Sequence, residues 1–187
     1  GNLCALVGIR SQTMKKIELT LAVSDADHTR DVVTGKVPVE GVELTALDLV
    51  PEEIFYRFTM YREWDISEMS MGKVISLHSQ NDKSITAIPV FVSRVFRHSM
   101  IYVRDDGKIT KAEQLRGKRI GIPEWAQTAG IYCRGLLTHT AKVPLNSVEW
   151  VQGGVNEPGR VEKVKLKLPR GMKYSIDREH TLSELLL

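Results

Sequence analysis

At 187 residues the chain is long enough for one substantial core or for two small lobes sharing a hinge, since domains commonly run to about 100–150 residues. With 42% apolar and 26% charged residues it can pack such a core, which excludes a disordered protein. A formal charge of +3 is too small to mark a nucleic-acid binder, no apolar run reaches the ~18 residues of a membrane span, and two cysteines, Cys4 and Cys133, are too few for a disulfide framework or a thiolate zinc site.

Residues 1–9 are moderately apolar but carry neither a basic leader nor a small-residue cleavage site. Residues 1–13 therefore read as a non-native or poorly ordered extension, with Met14 as the natural start, and the lack of an export signal places the protein in the cytoplasm. From Ile17 to Val23 apolar residues alternate with Glu18, Thr20 and Ala22, the period-two pattern of a half-buried strand. The polar stretch 24–30 then hands the chain to a helix, with Asp27 as a candidate cap.

A second strand over Val42–Leu47 precedes a helix opened by Pro51, with Ile54, Phe55, Phe58 and Tyr61 on one side. Trp64–Met69 reads as a third strand, followed by Ser70 as an N-cap and a helix carrying Val74, Leu77 and His78. Ser84–Phe91 and Phe96–Val103 read as two further strands. Thr110–Glu113 fits a capping box, Gly117 stops that short helix, and Lys118–Pro123 is a strand. A helix follows with Trp125, Ala129, Tyr132, Cys133, Leu136 and Leu137 at helical spacing, and then a strand over Ser147–Val151.

Between Arg160 and Lys173 lysines alternate with Val164, Leu166 and Leu168, the pattern of an amphipathic edge strand. No aromatic platform interleaves with those charges, so nucleic acid is not an expected partner. A Pro-Arg-Gly turn at 169–171 leads to a last helix near Thr181, whose Leu182, Leu185 and Leu186 have no sheet to cover before the chain stops. The pattern as a whole is α/β, with a first lobe over 14–103 and a partial second lobe over 104–187.

Five polar clusters could carry chemistry. Arg94, Arg97 and His98 fall within five residues, and a guanidinium clamps carboxylates while an imidazole titrates near neutrality; a solvated strand edge explains them as well. His28 and Arg30 follow the first strand, where helix capping is the plainer account. Glu68 and Ser70 lie where a strand gives way to a helix whose backbone N–H groups can hold an anion. Glu124, Gln127 and Thr128 occupy the next such handover, with Arg134 two turns on. Gly153, Gly154, Glu157 and Arg160 form a loop whose glycines permit close approach to a ligand, or make a plain turn. There is no phosphate loop, no His-Glu-x-x-His metal pair and no serine nucleophile elbow.

Pro51-Glu52-Glu53-Ile54-Phe55-Tyr56-Arg57, Trp64-Asp65-Ile66-Ser67-Glu68-Met69-Ser70, Ile88-Pro89-Val90-Phe91 and Phe96-Arg97-His98-Ser99 form an ordered set of segments. Leu115-Arg116-Gly117-Lys118-Arg119, Gly121-Ile122-Pro123-Glu124, Glu149-Trp150-Val151 and Gly153-Gly154 through Glu157-Pro158-Gly159-Arg160-Val161-Glu162-Lys163 continue it. In these segments the sequence resembles the 4,5-dihydroxyphthalate decarboxylase family, from about Lys16 to Leu187. The resemblance implies a two-lobed, type II periplasmic-binding-protein-like fold with a ligand cleft between the lobes. Full members are considerably longer, so the chain reads as truncated at its C-terminus with its second lobe incomplete.

The family implies decarboxylation of an aromatic dicarboxylic acid such as 4,5-dihydroxyphthalate, giving a dihydroxybenzoate and carbon dioxide. No cofactor is implied, because the ring hydroxyls supply the electron density, and the spacing of His28, His98, Glu68 and Glu124 gives no metal signature, although in three dimensions they could ligate one. Under that resemblance His28, His98, Glu68 and Glu124 would be catalytic, and Arg30, Ser70, Arg94, Arg97, Gly153, Glu157 and Arg160 would bind substrate. The alternative is a solute-binding protein for a carboxylated aromatic or other small anion, linked to an ABC-type transporter. The implied partner is a small aromatic carboxylate, with neither nucleic acid nor membrane, and a homo-oligomer would cover the open sheet edge.

Overall fold

A computed structural model describes residues 15–187; the N-terminal extension, Cys4 and Met14 lie outside the described residues. Two three-stranded parallel sheets form, each with its own core, and the α/β class expected from the sequence is present. In the first sheet β1 (Ile17–Val23) lies between β2 (Val42–Asp48) and β3 (Ile66–Ser67). Ile17 stands opposite Val42, and Leu21 stands opposite both Ala46 and Ile66. Helix α1 spans Asp27–Val33 and α2 spans Pro51–Tyr61. Pro51 suits the start of α2 because a first-turn residue needs no backbone N–H donor. Ile54 and Phe58 of α2 bury against Ala22 and Trp64, and Phe58 stacks on Trp64 with ring centroids 6.5 Å apart.

In the second sheet β5 (Glu149–Gln152) lies between β4 (Arg119–Ile122) and β6 (Lys173–Ile176). Its core joins Leu115, Ile122, Leu137, Val143, Val148 and Trp150. Trp125 meets Trp150 and Tyr174 edge-on at 5.6 and 5.8 Å, closing one side. Helices α3 (Met71–Ser79), α4 (Thr128–Gly135) and α5 (Leu182–Leu186) complete the elements, with α4 running into a π-helical turn over Leu136–Thr140. Among the described residues no helix is long and apolar enough to cross a membrane.

Several elements differ from the sequence reading. The expected strands over 84–91 and 96–103 are irregular, apart from a 3₁₀ turn at His98–Met100. Neither finds a neighbouring strand among the described residues, and an apolar run makes a strand only where a partner satisfies its backbone. Ile88, Val90, Phe91, Phe96 and Tyr102 consequently stay exposed. The Trp64–Met69 strand shortens to two residues because Trp64 turns into the core and Glu68 turns to Ser24.

The lysine-rich segment 160–168 is not an edge strand: Arg160 and Lys163 turn to Glu124, Glu162 turns to Lys73 of α3, and the third strand of the second sheet comes later, at β6. Asp27 does not cap α1 but pairs with Arg30 at 2.8 Å. The Trp125–Leu137 helix starts at Thr128, and its buried residues are Gly130 and Arg134, while Tyr132 is exposed. α4 packs against α3, where Ile131 closes on Gly72, and the Arg134 guanidinium turns back onto the Trp125 ring.

Candidate active site

Parallel strands deliver their loops to one edge of a sheet, where α/β folds place ligands. Glu52 follows β2, Glu68 and Ser70 follow β3, Glu124 follows β4 and Arg160 follows β5. At this edge the two sheets meet through polar side chains. Ser70 Oγ lies 2.9 Å from Thr128 Oγ1, and the Gly72 N–H donates to the same Thr128 oxygen at 3.2 Å. Ser70 therefore links the α3 start to the α4 start and makes no side-chain cap to α3. A methyl group on Gly72 would lie 2.7 Å from the Ala126 carbonyl oxygen, so only glycine permits this approach.

Beside this contact lies a buried ion network. Glu124, 1% exposed, receives Arg160 Nε and Nη2 at 2.9 and 2.6 Å and Lys163 Nζ at 2.5 Å on Oε1. Its Oε2 pairs with Lys73 Nζ. Lys73, on α3, also donates to Glu162 at 2.6 Å, and Glu162 accepts from the Ala126 N–H at 3.3 Å. Arg160 Nη2 reaches back to Glu52 on α2 at 2.7 Å.

Burial works to raise the Glu124 carboxyl, but attraction to Lys73 and hydrogen bonds from Lys163 and Lys73 outweigh it and hold the group below its ordinary value. Burial likewise works to lower the Arg160 guanidinium, and its bonds to Glu124 prevail and raise it. Arg134 is pushed down to about 10 by burial and stays cationic at neutral pH, its guanidinium 3.9 Å from the Trp125 ring centroid and its Nη2 on the Trp125 carbonyl. Tyr174 is pushed up to about 12, chiefly by burial.

In front of the network opens a cleft of about 510 Å³, lined by Glu52, Tyr56, Gly154–Val161 and Lys163. Gly154 is buried in its wall, and Gly153, also buried, lies behind it against Leu182. A side chain at Gly154 would collide with the Glu157 carbonyl oxygen, so this glycine serves the tight loop that presents Arg160. Gln152 holds the same loop by donating to the Pro123 and Arg160 carbonyls at 2.8 and 2.9 Å.

Of the residues singled out in the sequence, Glu124 and Arg160 touch each other, and Gly153, Glu157 and Ser70 lie in the surrounding loops. Glu68 is buried and accepts from Ser24 N–H and Oγ at 3.1 and 2.6 Å, which fixes the turn after β1. Arg30 is exposed and paired with Asp25 and Asp27 at 2.9 and 2.8 Å. His28 Nε2 lies 2.8 Å from the Val92 carbonyl. Arg94 lies over the Phe91 ring, and His98 lines a separate hollow of about 360 Å³ against α4. Arg97 is half-buried at the start of the 3₁₀ turn.

Sequence reasoning missed Lys73, Glu162, Lys163, Glu52 and Tyr56. A lysine beside Gly72 in the first turn of α3 was the available signal, and for Glu162 and Lys163 the edge-strand pattern masked it. Among the described residues no three His, Cys, Asp or Glu side chains converge in a way that would hold a metal.

No family model matches the chain. Over 174 residues it is 38% identical to a 4,5-dihydroxyphthalate decarboxylase of Comamonas testosteroni, a match covering 92% of this chain and 53% of that relative. Over 156 residues it is 40% identical to a 4,5-dihydroxyphthalate decarboxylase of Pseudomonas putida, covering 83% of this chain and 60% of the relative. The chain therefore spans somewhat more than half the length of these curated relatives. The resemblance read from the motifs holds: over most of its length this chain is similar to 4,5-dihydroxyphthalate decarboxylases.

Proposed function

We propose that the protein carrying this chain is a carboxy-lyase that removes one carboxylate from 4,5-dihydroxyphthalate, giving a dihydroxybenzoate and carbon dioxide. The long match to two curated decarboxylases of that substrate carries the reading. A cleft of about 510 Å³ with a guanidinium at its back supports it, being of a size for one aromatic ring with its substituents. We place the fold as type II periplasmic-binding-protein-like, with lobes over 14–103 and 104–187. Two parallel sheets whose loops meet at their strand C-termini support that placement.

In the proposed reaction the ring hydroxyls push electron density toward the carbon that bears the leaving carboxylate. A proton adds to that carbon; the carbon–carboxylate bond then breaks, its electron pair restores the aromatic ring, and carbon dioxide departs. The hydroxyls make a separate electron sink unnecessary. Arg160 binds a carboxylate bidentately, as guanidinium geometry favours. None of Arg30, Arg94, Arg97, His28 and His98 lines this cleft; the reaction needs a closed form that brings the 94–98 segment and the turn after β1 over it, where Arg94, Arg97 and, once released from its aspartates, Arg30 become the further carboxylate ligands. His28 or His98 supplies the proton. Glu124 and Glu68 are positioning residues in this scheme, Glu124 through Arg160 and Glu68 through the turn that leads to His28. Gly153, Glu157 and Ser70 shape the wall.

The test is carbon dioxide release from 4,5-dihydroxyphthalate, measured for the parent and for a protein with both Arg97→Ala and His98→Ala. Release by the parent that falls about 100-fold or more in the variant is the expected result. Binding without release by the parent would remove the decarboxylase reading and leave a solute-binding protein.

A further inference from the structure

The ion network behind the cleft is unequal in charge. Lys73, Arg160 and Lys163 bring three cations to two well-buried carboxylates, Glu124 and Glu162. A surplus buried cation is costly unless an anion faces it. The third negative charge is Glu52, which meets Arg160 Nη2 at 2.7 Å and stands 3.9 Å from Lys163 Nζ. Unlike the other two carboxylates it comes from the first turn of α2 at the cleft mouth, and its side chain is 60% exposed.

We propose that Glu52 is a displaceable stand-in for a ligand carboxylate, and that Arg160 and Lys163 together form the anion subsite of the cleft. The inference rests on the proposed function for the aromatic nature of the ligand, though not for its charge. Arg160 commits Nε and Nη2 to Glu124, and among the described residues Nη1 makes no hydrogen bond. The Nη1–Nη2 edge is therefore open to a carboxylate, which would gain two parallel bonds where Glu52 makes one. Displacing Glu52 costs little. A half-exposed ion pair contributes little to stability, and the released carboxylate keeps both its water and its favourable place at the N-terminus of α2. Tyr56, Val155, Pro158 and Val161 line the same cleft and offer an apolar wall to the ring of the bound acid.

Calorimetric titration with phthalate tests this, because phthalate has both carboxylates but lacks the ring hydroxyls that drive decarboxylation. In the protein carrying this chain, Glu52→Gln is expected to bind phthalate about three- to tenfold more tightly than the parent. Glu53→Gln makes the same charge change one residue away, where Glu53 pairs with Arg57 at 2.7 Å, and is expected to stay within about twofold of the parent. The neutral diamide of phthalate is expected to show no difference between Glu52→Gln and the parent. An unchanged or weakened affinity in Glu52→Gln overturns the proposal, as does an equal gain in Glu53→Gln or failure of both parent and Glu52→Gln to bind. Carbon dioxide release from 4,5-dihydroxyphthalate, measured separately, bears on the reaction alone, so the subsite and the reaction can fail independently.

Discussion

Glu124 sits at the centre of three cations, and what a carboxylate does there depends on all of them. Glu124→Gln leaves Lys73 and Lys163 buried without their main partner, and a loss of about 3–5 kcal/mol is expected in urea unfolding at neutral pH. The acid limb carries the same signature. The folded-state carboxyl titrates below its ordinary 4.5, so the unfolded chain takes up this proton first. The stabilisation is full above about 4.5 and disappears as pH falls through the lowered folded value. The pH dependence of the unfolding midpoint in Glu124→Gln should lack that portion of the slope. The sequence placed Glu124 beside a helix start, where helix geometry explained it equally well. Its meaning lay in Lys73, 51 positions away in the chain, which no local spacing connects to it.

The elements that formed as expected are those with a local reason to form. β1 alternates and has partners on both sides; α2 opens on Pro51; α5 begins at Thr181, whose Oγ1 accepts from the Glu184 N–H at 3.1 Å while the Glu184 carboxylate accepts from the Thr181 N–H. Thr181→Ala removes that cap and should cost about 1 kcal/mol, read from the melting curve. The second sheet depends on Trp150, which is fully buried and donates from Nε1 to the Leu145 carbonyl at 3.0 Å. Trp150→Ala should cost about 3–5 kcal/mol in urea unfolding. The segments over 84–91 and 96–103 are apolar runs of strand length, but an apolar run says nothing of a neighbour.

How closely the two sheets approach is set where α3 meets the turn before α4. Gly72→Ala would drive a methyl group into the Ala126 carbonyl and the Ile131 side chain, and α3 has to move to relieve it. We expect a loss of about 1–3 kcal/mol in urea unfolding and a larger radius of gyration in solution scattering, since Lys73 moves with Gly72 and its bonds to Glu124 and Glu162 lengthen. Composition and patterning were enough to identify an α/β chain, to locate most of its strands and helices, and to carry the motifs of the decarboxylase resemblance, because each of these is written in short-range order along the chain. Which charges face one another was not legible there. Lys73 reads as one more helix lysine and Lys163 as one more edge lysine until folding brings them to Glu124, because a buried ion pair depends on distance in space and desolvation, and neither has a period along the chain.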